Sequence, residues 1–325
     1  MNKIALQLVT RGGSRYLPFV FESLKRQICQ DWELFVLDNG SNTEEAKELY
    51  RLSQASGIVK RFERLEQNVG FAGGHNRVFQ WHHAPYVVLL NDDAFLEPMY
   101  LEELLRVMES DPQVGAVEGA VFRWNFDERD QVSGGRTEVI DTFGLMRTKG
   151  WKVSDLRVGE TQLLPCGTEP CHVFGVSGCL PMYRRSAALL TSPDGTLFDP
   201  TFVSYKEDVE LATRLMAAGY TAYTVPTALA YHRRSFGKGM RAVQPEEVLR
   251  QSYRNHLWIV LMHAHHLSIL SFLSIAFFEK AKSLFWLTHR PLLLWRAWRE
   301  TWKERSNLLR KRRFFRSSYH SAIHL

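Results

Sequence analysis

Cysteine is scarce in this chain: Cys29, Cys166, Cys171 and Cys179 are the only four among 325 residues. No two of them stand at the CxxC spacing that builds zinc sites. So few thiols point to buried, reduced side chains in a cytosolic protein, with a Cys166–Cys171 disulfide as the alternative. No secretion leader is expected either. The amino terminus, MNKIALQLVTRGG, has an apolar run too short for a signal peptide and no small-residue cleavage site, so the chain is expected to stay in the cytoplasm. Long apolar runs are nearly absent. The stretch LWIVLMHAHHLSILSFLSIAFF at 257–278 is broken by His263, His265, His266 and three serines, and it only just reaches spanning length, so a buried or interfacial helix is expected. Its histidines have no carboxylate partner at helical spacing and read as ordinary polar positions.

Acidic residues thin out toward the end of the chain. Between Glu279 and Arg316 there are twelve Lys/Arg against three Glu, a local +9, which leaves residues 1–278 at −3 of the total +6. Basicity therefore belongs to the tail. An apolar fraction of 45% with 23% charged residues excludes disorder as the default. The length suits one large domain with an appendage, or two modest ones.

Short apolar runs alternate with helical patterns over the first ~120 residues, as βαβ units require. Strands are expected at 4–9, 33–37, 59–63, 86–90 and 114–118, with helices at Tyr16–Cys29, Glu44–Ser56, Gly74–His82 and Pro98–Ser110. This is an α/β fold with a Rossmann-like, mostly parallel sheet flanked by helices. Residues 120–165 read as irregular structure with short strands. A strand, glycine turn, strand and helix follow from His172. In FVSYKEDVELATRLMAAGY, Ser204 and Glu207 read as a capping box, and Gly219 as the helix stop.

In such sheets the residues just past each strand's carboxyl end converge on a cleft. Here they are Thr10 to Gly13, Asp38 to Ser41, Asn68 to Asn76 and Asn91-Asp92-Asp93. After the first strand the chain reads TRGGSRYLP, which lacks the GxGxxG of dinucleotide binding. The stretch YVVLLNDDAFLEP ends a buried strand on adjacent carboxylates, which either terminate it as turn formers or hold a metal ion. Glu207 and Asp208 occupy a helix's first turn, where they complement the dipole.

The segments LVTRGGSRYLPFVFESLKRQ, VLDNGSNTEEAK, NVGFAGGHNR, LLNDDAFLEP, VFGVSGCLPMYRRSA, FDPTFVSYKEDVELATRLMAAGY and YHRRSFGKG resemble, in order and spacing, family 2 glycosyltransferases with the GT-A fold. They look most like the bacterial rhamnosyltransferase-type branch. The resemblance runs from about residue 4 to 260 and includes YRNHLW at 253–258. It implies that Asp38 contacts the nucleotide base or ribose and that Thr10 lines the same pocket. Asn68, Gly74 and Asn76 would lie under the diphosphate, with Asn91 and Asp92 also on the donor. Asp93 and His232 would ligate Mg²⁺ or Mn²⁺, and Asp208 would be the catalytic base. Ser177, Gly178, Glu207, Arg234 and Lys238 are the implied diphosphate or acceptor contacts. Two departures stand out: Arg11-Gly12 replace the usual aromatic and Asn, and Asp92 replaces Pro. Glu210 also stands where Asp is common.

The implied reaction is an inverting transfer of a sugar, by branch rhamnose, from a nucleotide donor to a glycan or lipid-linked acceptor in cell-surface polysaccharide synthesis. Competing readings are a metal-dependent nucleotidyltransferase or phosphohydrolase, and a non-catalytic membrane-tethered binding protein on the same scaffold. Residues 1–240 would form the catalytic domain and 241–325 a helical extension. Trp295, Trp298 and Trp302 fall on one helical stripe beside Arg296, Arg299 and Lys303. That pattern suits an anionic membrane surface at the inner face, or else tryptophans packed on the catalytic domain. The tail is thus expected to serve membrane association, not catalysis. No nucleic-acid module accompanies it, so no specific nucleic acid is expected.

Overall fold

The computed structural model describes residues 2–126, 135–148, 151–161, 167–233, 245–264, 284 and 289–320. The first half alternates as its apolar spacing requires: β1 (Ile4–Thr10), α1 (Leu17–Lys25), β2 (Trp32–Asn39), α2 (Thr43–Ser56), β3 (Val59–Leu65), α3 (Gly70–Phe79), β4 (Tyr86–Leu90), β5 (Ala94–Leu96), α4 (Tyr100–Ser110) and β6 (Val114–Trp124). All of β4 is buried. Its Val88 and Leu90 pack in one layer with Leu17, Leu24 and Leu104, while Val87 and Leu89 pack in another with Ala72, Phe79 and Leu211. A strand covered on both faces must be apolar throughout, which is why it reads as a continuous run.

β1 lies parallel between β2 and β4, and β3 continues the sheet beside β2. Past β4 the sheet changes direction. β11 (Met182–Arg184) runs antiparallel between β4 and β6, and β12 (Thr221–His232) lies parallel to β6. The order is β10-β12-β6-β11-β4-β1-β2-β3, with β10 (Cys171–Val173) at the edge. The long pairings are parallel, and the antiparallel ones are short. The weakly patterned region supplies β7 (Arg136–Thr142) against β6, and a separate hairpin of β8 (Leu145–Arg147) and β9 (Val153–Asp155). Then come α5 (Arg185–Leu190), α6 (Glu207–Ala217), α7 (Glu246–His263) and α8 (Pro291–His320).

Several expectations are corrected. α3 begins at Gly70, a full turn before Gly74, because Gly70 takes φ 81° and lets the chain enter the helix there. α6 has no capping box: Ser204 Oγ accepts the Phe71 N–H at 3.2 Å, and the residue before the helix, Lys206, makes no side-chain cap. Gly219 does end the helix, with φ 88° and its N–H on Met216 O at 3.1 Å. Cys29 and Cys179 are buried free thiols, whereas Cys171 is disulfide-bonded, so the reduced reading fails there. Cys166 lies outside the described residues.

The C-terminal helices pack onto α6. His263 is buried, 3.2 Å from Glu210 Oε1, and stacks on Phe315 at 4.3 Å. The carboxylate that spacing along one helix could not supply comes from another helix; His265 and His266 fall outside the described residues. A stripe of α8 running through Leu294, Ala297, Leu308, Lys311 and Phe315 is buried, and Trp258 Nε1 donates to Thr301 Oγ1 at 2.9 Å. Trp295, Trp298 and Trp302 face outward, 55%, 49% and 69% exposed. Among the described residues no helix is long and apolar enough to cross a membrane.

Candidate active site

The parallel register sets Thr10 beside Asp38 at the carboxyl edge. Asp38 is fully buried. Its Oδ1 accepts the Ser41 N–H at 2.9 Å, and Arg64 Nε stands 3.6 Å from Oδ2, which has no hydrogen-bond partner. Such a buried oxygen calls for a partner, and a ligand hydroxyl or base N–H would supply one. Gly40, at φ 81°, lies so close to Asn68 that an added Cβ would stand 2.6 Å from its backbone nitrogen. Asn68 itself is exposed and accepts the Gly70 N–H at 2.8 Å.

Two expected donor contacts carry structural duties. An added Cβ at Gly74 would meet Val9 Cγ1 at 2.7 Å, so this glycine lets α3 close on β1. Buried Asn76 clasps Phe198, donating to its carbonyl and accepting its N–H, each at 2.9 Å. The segment is also held by Asn39, the last residue of β2: it donates to Gly70 O and accepts from Val69 N, each at 3.0 Å.

Asp92 lies against the first loop at Thr10 and Gly13. Thr10 Oγ1 donates to its Oδ2, and an added Cβ at Gly13 would stand 2.0 Å from that oxygen. Gly13 is therefore held to glycine because a carboxylate fills the space beneath it, whereas Gly12 has open space around it and takes φ 83°. Burial pushes the Asp92 carboxyl up to about 6, against the pull of the Thr10 hydrogen bond.

β12 pairs with β5 so that His232 registers with Ala94, next to Asp93. His232 Nε2 lies 3.2 Å from Asp93 Oδ1 and 3.1 Å from Asn91 Nδ2. Nδ1 is 2.8 Å from Asp141 Oδ2. A carboxylate on one ring nitrogen orients the other toward a ligand, so Nε2 and Asp93 form the outward donor pair. One hard oxygen and one imidazole suit Mn²⁺ or Mg²⁺, which complete their shells with phosphate and water. Cys179 stands behind: the ligand atoms of Asp141, Cys179 and His232 lie within 4.8 Å of one another. Asp141 escaped the sequence reading because it sits in the segment of weakest periodicity.

Asp208 meets the same locus from α6. Its Oδ2 accepts the Gly178 N–H at 3.1 Å, and burial raises its pKa, opposed by the Val209 and Gly178 N–H groups. Glu207 is buried with one oxygen unpartnered; burial, then Asp208 beside it, pushes it up to about 8. Ser177 turns away from the cleft, its N–H and Oγ both donating to Glu118 Oε2 at 3.0 and 2.8 Å. It anchors the turn and offers no free hydroxyl there. Adjacent residues thus span the site: Gly178 touches Asp208, and Cys179 stands against His232. Arg234 and Lys238 lie outside the described residues.

The chain's likeness to known proteins agrees with this geometry. The Teichoic acid poly(glycerol phosphate) polymerase of Staphylococcus epidermidis is 26% identical over 107 residues, 32% of this chain, which spans only 15% of that relative. A crystal structure of GalNAc-T7 with UDP, GalNAc and Mn²⁺ matches with a TM-score of 0.61 at 15% identity, over 81% of this chain and 48% of that one. S. aureus TarS 1-349 in complex with UDP-GlcNAc matches with 0.55 at 14%, over 88% and 74%. At these identities the likeness is one of fold, and it is the GT-A fold. The model of Glycosyl transferase family 2 matches residues 8–188, more than half of the chain, from the strand that carries Thr10 to the helix after Gly178: the protein belongs to that family.

Proposed function

We propose that the protein moves a sugar from a nucleoside-diphosphate donor to a hydroxyl of a glycan or lipid-linked glycan, with inversion, in cell-surface polysaccharide synthesis. The observation that carries this reading is the adjacency at Gly178-Cys179: Gly178 contacts Asp208, and the next residue, Cys179, stands against His232 of the Asp93–His232 pair. Asp208 would take the acceptor proton as the hydroxyl oxygen attacks the anomeric carbon and the diphosphate leaves. Burial strengthens that carboxylate as a base. Asp38 would hold ribose or base through its unpartnered oxygen, with Thr10, Asn91 and Asp92 shaping the pocket. Asp93 and His232 would hold Mg²⁺ or Mn²⁺, whose charge neutralises the leaving diphosphate. Arg234 and Lys238 would contact the diphosphate or the acceptor.

The branch resemblance favours dTDP-rhamnose as donor; neighbours crystallised with UDP and with UDP-GlcNAc make UDP-hexoses the competing class. Residues 1–240 would bind donor and acceptor. The extension would bring the enzyme to the inner face of the membrane through the exposed tryptophans of α8.

Calorimetric titration of UDP and dTDP with and without Mn²⁺ tests the metal-held diphosphate. The wild type should bind one of them about tenfold or more tighter with the ion, ~1.4 kcal/mol or more, and Asp93→Ala should lose most of that difference. Equal wild-type affinities under both conditions would remove it.

A further inference from the structure

The segment leading into Asp208 is bent against the preference of its residues. Tyr205 and Lys206 have φ of 70° and 68°, left-handed backbone that persists in side-chain-bearing residues only where the surroundings over-determine it. Neighbours on three helices supply that restraint. From α3, Ala72 N donates to Val203 O at 3.3 Å, and Gly70 approaches so closely that an added Cβ would meet that oxygen at 2.1 Å. From α7, fully buried Asn255 donates through Nδ2 to the carbonyls of Ser204 and Tyr205, at 3.0 and 2.6 Å. From α8, fully buried Lys311 reaches Asp199 Oδ1, with Thr201 Oγ1 at 3.4 Å and Asp194 Oδ2 at 3.3 Å. Asp199 Oδ1 in turn accepts the Thr201 N–H at 2.9 Å.

The C-terminal helices therefore grip residues 199–206 at both ends, and that segment opens directly onto Glu207 and Asp208. We propose that Asn255 and Lys311 are positioning residues for transfer, holding 199–206 in the strained form that sets Asp208 against Gly178. The proposal rests on Asp208 as the proton acceptor. It makes α7 and α8 part of the working site.

Hydrogen exchange of the unliganded full chain reads the restraint directly. In Asn255→Ala the amides of 203–208 should exchange roughly tenfold faster while those of β1 and β4 stay unchanged, the pattern of a local opening. Hydrolysis of UDP-GlcNAc or dTDP-rhamnose, whichever binds, reads the consequence with water in the acceptor's place. Its kcat should fall ~10- to 100-fold, as misplacement of a reacting group by about an ångström does, with KM for the donor nearly unchanged. Lys311→Met should give the same split, and it preserves the test if Asn255→Ala fails to fold. Adding Lys206→Gly to Asn255→Ala should recover much of the lost kcat, because glycine reaches this φ without strain. Melting temperatures of the single and double variants separate this recovery from a general gain in stability. Unchanged exchange at 203–208, faster exchange with unchanged kcat, or no rescue would each overturn the proposal. Faster exchange together with wild-type turnover in Asp208→Asn would instead overturn the assignment of the base, and the proposal with it.

Discussion

Asp208 and Glu207 are neighbours in sequence with different surroundings. The first has an oxygen on the Gly178 N–H; the second is closed in, one oxygen unpartnered, and pushed up to about 8 by burial. Asp208→Asn should leave melting temperature and nucleotide affinity close to wild type and lower transfer ~10²- to 10⁴-fold, the usual cost of a lost general base. Glu207→Gln should leave most of the transfer rate, because Glu207 is largely protonated at neutral pH and glutamine keeps its shape. Rates and melting curves for the two variants separate these outcomes, and near wild-type transfer in Asp208→Asn would remove the base. Asp93, His232 and Asp208 could be nominated from sequence because each sits in a motif at a chain position where a site is expected. Asp141, Asn255 and Lys311 could not, since their contacts arise from pairings between β7 and β12, α7 and the 203–206 segment, and α8 and Asp199, none of which has a local signature.

At the scale of elements, the strands and helices of the first half were readable because local period and burial agree there. Element starts were less so. The capping-box pattern at Ser204 and Glu207 was outcompeted by tertiary bonds from α3 and α7, and α3 gained a turn through the positive φ of Gly70. A buried glutamate in β6 was invisible for a similar reason. Glu118 is fully buried, and its two bonds from Ser177 tie β6 to the turn that carries Gly178. Burial outweighs those bonds and pushes its carboxyl from 4.5 up to about 8. The folded state thus holds this proton where the unfolded chain has released it. Linkage then makes stability fall as pH rises from about 4.5 toward about 8, with no contribution below the unfolded value. Glu118→Gln, which keeps an acceptor for Ser177 and cannot ionise, should show a shallower fall in melting temperature across that window. A slope identical to wild type would mean that Glu118 is ionised in the folded protein.

At the scale of the whole molecule, α8 presents two different faces. Inward, Leu308, Lys311 and Phe315 are buried, so removing the helix would expose core as well as any membrane-binding surface, and truncation could not separate the two roles. Outward, Trp295, Trp298 and Trp302 are exposed, with Arg299 4.8 Å over the Trp295 ring and Arg305 4.5 Å over that of Trp302. The tryptophan stripe was readable at helical spacing, but which side it faced was not, because spacing gives a face and tertiary packing decides what covers it. Large amphipathic rings beside guanidinium groups suit the headgroup layer, where each basic residue contributes ~1 kcal/mol with anionic lipid. Replacing all three tryptophans by alanine leaves the buried stripe intact, so folding and donor affinity should be kept. Sedimentation with vesicles containing phosphatidylserine should then fall about tenfold or more relative to wild type. Binding of the wild type should also weaken as salt rises, because a Debye length of ~10 Å at 0.1 M screens the basic residues from the headgroups. If the triple variant sediments as wild type does, the outward face of α8 has another partner.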